Sequence, residues 1–229
     1  MATLYHFPLC PFSRRVRLAL IEIGYEVTLV EERPWNRREE FLIMNPAGTI
    51  PVLVEPDDRA ISGITAITEY LEEMSVAQNR RRLIPGPPFA RAEIRRLVEW
   101  FDLKFNAEVT QLIAHEKINK RFMDPAVGGG GPNMEAIRTG CHNIRHHLKY
   151  IGYLTESRRW LAGDELSHAD LAAAAHLSCI DFVDDVPWAQ AGAAKDWYAR
   201  IKSRPSFRQL LKDRLLGMAP PAHYEDLDF

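Results

Sequence analysis

Apolar positions along this chain change their rhythm once, near residue 80. Before that point, short branched and aromatic runs alternate with helical stretches. Thr3–Phe7 predicts a strand, which Pro8-Leu9-Cys10-Pro11 interrupts. From Ser13 the positions Val16, Leu18, Ala19, Leu20 and Ile23 suit a helix, and Gly24 ends it. Val27–Val30, Pro51–Val54 and Ala60-Ile61 read as further strands, with a short helical stretch reaching Met44 between the first two. Ile64–Met74 then carries Ile64, Ile67, Tyr70 and Leu71 at helical spacing. Beyond the linker there is no convincing strand pattern. Ile94, Leu97, Val98, Phe101, Phe105, Val109, Leu112 and Ile113 step by three and four along one face of a long helix. Gly128–Gly131 with Pro132 breaks that pattern. Helices over Met134–Leu154, after Ser167, and over Ala194–Ser203 follow. The order β-α-β-α-β-β-α, then helices alone, predicts an α/β domain over residues 1–78 and an all-helical domain over 89–217. Residues 79–88, with Arg80-Arg81-Arg82 and Pro85-Gly86-Pro87-Pro88, form the linker, and 218–229 an irregular tail.

Composition narrows the function classes. The 229 residues are 46% hydrophobic and 26% charged, as expected for a globular chain with a real core. Lys plus Arg is 29 and Asp plus Glu is 31, giving a net charge of −2. That balance argues against a protein living on nucleic-acid phosphates. The N-terminus has no basic region followed by an apolar core, and no apolar run reaches a membrane-spanning length. Three widely spaced cysteines, Cys10, Cys141 and Cys179, do not make a disulfide framework, so a reducing cytoplasm is expected.

Three motifs are more specific. Asn45-Pro46-Ala47-Gly48-Thr49-Ile50-Pro51 resembles the Asn-Pro-x-Gly-x-Val-Pro signature of glutathione transferases. Ser167-His168-Ala169-Asp170, with Leu166 before it, is similar to that superfamily's capping box and hydrophobic staple. Trp197-Tyr198-Ala199-Arg200-Ile201 through Arg204-Pro205-Ser206-Phe207 matches its last core helix. The resemblance spans nearly the whole chain. It implies a thioredoxin-like α/β domain plus an all-α domain, the glutathione-transferase fold. It also implies a cis bond before Pro51, turning the amide and carbonyl of Ile50 toward an extended peptide.

Whether the enzyme survives turns on two positions. Cys10-Pro11-Phe12-Ser13 is similar to the catalytic motif of omega-class transferases and one-cysteine glutaredoxins. A helix N-terminus, with Arg14 and Arg15 close by, is expected to lower the Cys10 pKa and make a nucleophile. The opposing reading is a retained cysteine in a dead pocket. Against catalysis, Ala66-Ile67-Thr68-Glu69-Tyr70-Leu71 aligns without a gap to the family pattern Glu-Ser-x-Ala-Ile-x-x-Tyr-Leu. Gly63 and Ile64 then stand where the glutathione-holding Glu-Ser pair belongs. Neither side chain can pair with an ammonium or hold a carboxylate. Ser62 takes the role only if the loop shifts, and Ile50, Pro51 and Ser62 are the cofactor-binding residues if catalysis is retained. The expectation is no bound cofactor.

The segments Val30–Phe41, Lys120–Met123 and Pro220–Phe229 resemble an alphaproteobacterial branch of the superfamily whose members are homodimers binding the tubulin-like division protein FtsZ. That resemblance implies a non-enzymatic division factor recruited to the division site, with FtsZ and a second copy of itself as partners. The partner-binding candidates are Trp35, Arg37 and Arg38 in a polar loop, and Tyr224, Asp226, Asp228 and Phe229 in the tail. The alternative is an omega-like thiol transferase using Cys10. Cys141, His142, His146 and His147 share a helix, but no convergent second pair appears, so no metal site is expected. Those residues read as a polar helix face. The arginines at 80–82, 91, 95 and 96 read as a solvated basic patch.

Overall fold

The computed structural model describes residues 1–227; Asp228 and Phe229 lie outside the described residues. The chain divides into two compact units, Met1–Leu83 and Ile84–Phe229, and the division falls inside the 79–88 stretch.

The first unit holds a four-stranded sheet in the order β2-β1-β3-β4. Strand β1 (Ala2–His6) pairs parallel with β2 (Val27–Glu31) and antiparallel with β3 (Val52–Val54), which pairs antiparallel with β4 (Ala60–Ser62). Helix α1 (Pro11–Glu22) starts with proline at its first turn, where the missing amide costs nothing. Helix α2 (Glu39–Met44) is short. Helix α3 (Ile64–Ala77) buries Ile67 and Leu71. Arg15 on α1 reaches Thr68 Oγ1 of α3 at 2.9 Å, tying the two helices. The arginine run ending this unit is not a free basic patch. Arg80 donates to the Gly24 carbonyl at 2.8 Å, Arg81 pairs with Glu22 at 2.9 Å, and Arg82 pairs with buried Glu72 at 2.8 Å.

The second unit is helical among the described residues. Its first helix, α4, runs over residues 88–122 and widens to i→i+5 hydrogen bonding over Trp100–Thr110 and His115–Asn119. The cause is legible in its core positions. Phe101, Phe105, Val109 and Ile113 are all fully buried at four-residue steps, followed by Ile118. On a regular α-helix each such step overshoots by about 40°, so three steps would swing the row about 120° off the core. Wider turns swing such a step the other way, so the mix of the two keeps the row nearer the core. Sequence periodicity predicts an ordinary α-helix here, and side-chain packing overrules it.

Helix α5 (Met134–Ser157) is capped by Asn133, whose side chain accepts from Glu135 N and Ala136 N. It lies so close to α4 that a Cβ at Gly140 would sit 2.6 Å from Ile113 Cγ1 and 3.1 Å from Leu112 Cβ. Gly140→Ala is therefore expected to cost about 1–3 kcal/mol by overpacking, despite alanine's better helix propensity. Urea unfolding of the variant checks this; an unchanged or raised midpoint would refute it.

Helix α6 (His168–Asp181) is buried at every residue. The expected capping box is present. Asp170 Oδ2 accepts from Ser167 N at 3.0 Å, and the Ser167 hydroxyl accepts from Ala169 N at 3.3 Å. Leu166 and Leu171, the staple positions, are both buried. Helices α7 (Ala193–Lys202) and α8 (Pro205–Leu211) complete the unit.

Candidate functional site

In the first unit, the loop before β3 is shaped by its own sequence. Asn45 Nδ2 donates to Thr49 O at 2.8 Å, and Asn45 Oδ1 accepts from Ala47 N at 3.3 Å. Gly48 has φ +65°, and a Cβ there would lie 3.2 Å from Leu42 Cδ2, so glycine is required. The Ile50–Pro51 bond is cis, as the motif implies.

Cys10 is the N-cap residue of α1, half-buried, and its side chain makes no capping bond. The expected low thiol pKa is reversed: burial pushes the Cys10 thiol above its ordinary value. Hydrogen bonds at Ser13 and Phe12 and the charge of Arg14 oppose that shift without overcoming it. The arginines are spent elsewhere. Arg14 Nε donates to the Pro8 carbonyl at 2.6 Å, and Arg15 is held by Thr68. At neutral pH the site therefore presents a thiol, not a thiolate.

The start of α3 is where a γ-glutamyl group would be held. Gly63 is its N-cap at φ +90°, Ile64 is its first residue, and the first turn holds no acid. Ser62 is exposed at the end of β4, paired opposite Val52. The residues at the two key positions do not fit glutathione. Two charge-assisted bonds of about 1.5–3 kcal/mol each correspond to about a hundredfold to ten-thousandfold in affinity.

The loop after β2 has a fixed core and, among the described residues, a cation with no ion-pair partner. Trp35 lies in a single turn of 3₁₀-helix, Pro34–Asn36, half-buried, with its ring edge-on to Phe7 at 5.2 Å. Its indole Nε1 faces inward without an acceptor among the described residues. Arg38 is pinned to buried Glu32 at 2.7 Å and also pairs with Glu40 at 3.5 Å. Arg37, at φ +47°, is exposed and has no ion-pair partner among the described residues.

The tail is docked rather than frayed. Tyr224, expected as a partner contact, is fully buried and packs edge-on against Phe182 at 5.3 Å. It anchors the tail to its own domain, because an aromatic ring gains more from a preformed apolar pocket than from water. His223 Nε2 meets Asp181 Oδ1 at 2.9 Å, and Lys202 Nζ donates to the His223 carbonyl at 2.8 Å. Arg121 holds the Gly217 carbonyl at 2.7 Å, and Glu225 pairs with Arg214. Asp226 remains exposed. Asp228 and Phe229, also expected as contacts, lie outside the described residues.

Sequence reasoning missed the buried carboxylate Asp181 that organises this end. It accepts from Trp188 Nε1 at 2.7 Å and from the Tyr198 hydroxyl at 3.3 Å, besides meeting His223. Burial pushes its carboxyl up, opposed by these donors and by Lys202. Its partners are scattered over three segments, so no spacing signal could reveal it. The helix-face reading of the histidines is also corrected. His147 points into the core between Trp100 and Glu108, away from exposed His142 and His146. Among the described residues no group of His, Cys, Asp or Glu is placed to hold a metal ion. None of the described helices is long and apolar enough to cross a membrane.

This architecture, with its cis-Pro loop, defines the class. Residues 9–74 match the family model "Glutathione S-transferase, N-terminal domain", and residues 143–205 match "Glutathione S-transferase, C-terminal domain". The chain belongs to the glutathione S-transferase family. It is similar to FtsZ-localized protein A of Caulobacter vibrioides, with 47% identity over 99% of this chain and 98% of that protein. The solved structure of FzlA from C. crescentus superposes with a TM-score of 0.92 at 47% identity, covering 100% of this chain and 99% of that one. A structure described as a glutathione S-transferase from Sinorhizobium meliloti matches with a TM-score of 0.96 at 52% identity, covering 100% of both chains.

Proposed function

We propose that this chain is a non-enzymatic cell-division protein that binds FtsZ and organises its filaments as a homodimer, with a degenerate glutathione site. The observation carrying this reading is the full-length similarity to FtsZ-localized protein A. Gly63-Ile64 at the start of α3 and the protonated, half-buried Cys10 support it, since both weaken the case for glutathione chemistry. On this reading the protein is cytoplasmic and is recruited to the division site by its partner. Two equal sites related by a two-fold axis cross-link filaments, and repeated sites along a polymer make a weak single contact sufficient. Arg37 and Trp35 in the β2–α2 loop and Asp226 in the docked tail are the contacts proposed, with Arg38 and Tyr224 holding those segments in place. Asp228 and Phe229 are further contacts proposed from the sequence alone.

Co-sedimentation with GTP-polymerised FtsZ tests the proposal, with glutathione added in a parallel tube. The protein is expected to pellet with polymer in both, and Cys10→Ser is expected to pellet as the wild type does. Arg37→Glu and Asp226→Lys are expected to reduce pelleting. No pelleting of the wild type would sink the reading, and loss of pelleting with Cys10→Ser would point to thiol chemistry instead.

A further inference from the structure

The exposed face of α5 carries cations with no ion-pair partner among the described residues. Arg138, Arg145 and Lys149 are exposed, and none has an ion-pair partner among the described residues. Elsewhere many cations are matched: Arg81 to Glu22, Arg82 to Glu72, Lys117 to Asp185, Arg158 to Glu93. At 100° per residue, Arg138, His142, Arg145, Lys149 and Tyr153 fall within about 80° of one another around the helix. They make a single line, ending in an exposed tyrosine. Between residues 136 and 155 the helix has no acid. Glu135 and Glu156, both exposed, stand on the same face at its two ends, and the carboxylates beside it are engaged. Glu108 of α4 is held by Lys104 and His147, and Asp185, which shares the surroundings of Cys141 with Arg145, is held by Lys117. In a chain of net charge −2, this is a segregated positive ridge.

We infer that this ridge is a docking surface for an acidic, extended segment of a partner protein. The sign of the charge requires an anion, and the shape selects which kind. From Arg138 to Lys149 the line is about 16 Å long at 1.5 Å per residue. An extended peptide covers that span with about five residues at about 3.3 Å each. A planar anionic surface lying along this face would meet Glu135 and Glu156 as well as the cations, whereas a short segment fits between the two acids. Tyr153 at one end gives an aromatic or aliphatic residue of the segment a ring to pack on. The segment recognised is thus a short run of Glu and Asp with an apolar residue at one end. This inference stands apart from the FtsZ reading, whose pelleting test neither needs nor uses this face.

The test is fluorescence anisotropy of a labelled oligo-glutamate peptide ending in phenylalanine, titrated with the full chain. Binding is expected, and it should weaken as salt rises from about 0.01 to about 0.1 M, where screening shortens from about 30 to about 10 Å. Arg138→Glu, Arg145→Glu and Lys149→Glu together should weaken binding about tenfold or more. These side chains are exposed and make no ion pair among the described residues, so the fold should hold, checked by circular dichroism. Arg159→Glu, Arg208→Glu and Lys212→Glu, all exposed, make the same charge change elsewhere and should weaken binding far less. The inference is overturned by absence of binding or by equal losses in the two triple variants. It is equally overturned by preference for phosphatidylserine vesicles or duplex DNA over the peptide, or by a change in subunit mass on reversing the ridge, which would make it a contact between copies.

Discussion

Asp170→Ala is expected to cost about 3–5 kcal/mol and to lower the melting temperature by roughly 10 °C. Asp170 is fully buried, and both its oxygens accept hydrogen bonds. Oδ1 takes Leu161 N at 2.8 Å and Trp197 Nε1 at 3.0 Å; Oδ2 takes Ser167 N at 3.0 Å and lies 3.1 Å from the Ser167 hydroxyl. Burial pushes this carboxyl up, and the donors oppose that shift. Removing it strands buried donors at the start of a helix that is itself buried at every residue. Asn recovers one acceptor but turns its NH₂ toward donors at the other, so Asp170→Asn should be nearly as damaging. Thermal and urea unfolding of both variants check this. If Asn restored wild-type stability, the four-donor account would be wrong.

Acidification from neutral pH to about pH 4 is expected to remove about 3 kcal/mol through His147 alone. Its side chain is fully buried, and burial pulls its pKa down to about 4. The geometry gives the same direction. Trp100 Nε1 donates to His147 Nδ1 at 3.1 Å, so the ring's own proton sits on Nε2, 3.0 Å from Glu108 Oε2. Charging the ring would put a second proton on Nδ1, against the indole N–H. Glu108 favours the charged form without overcoming burial. Because the unfolded histidine titrates near 6.5, the unfolded chain binds more protons between about pH 6.5 and pH 4. Stability contributed by the neutral ring is complete above that window and is lost as pH falls through it. Below about pH 4 this contribution is flat. His147→Gln, which keeps a donor and an acceptor, should flatten the difference between urea midpoints at pH 7 and pH 4.5. An unchanged slope would assign acid lability to other groups.

The sequence by itself determined much of this protein. The Asn45–Pro51 loop, the Ser167–Asp170 capping box and the Trp197–Phe207 segment are contiguous motifs, and contiguous residues dictate their own local geometry. Gly63 and Ile64 were legible for the same reason: a missing side chain is missing in any fold. The strands and most helices follow from periods of two and near four. Tertiary structure decided what depends on neighbours distant in the chain. Desolvation set the direction of the Cys10 pKa against the helix terminus and the nearby arginines. A pocket beside Phe182 turned Tyr224 from a surface contact into an anchor. Partners on other elements consumed Arg80–Arg82, turned His147 inward and gathered around Asp181. Packing of Phe101, Phe105, Val109 and Ile113 widened a helix that propensity would have left regular. Burial and ion pairing are sums over contacts from every side, whereas a motif carries its geometry with it.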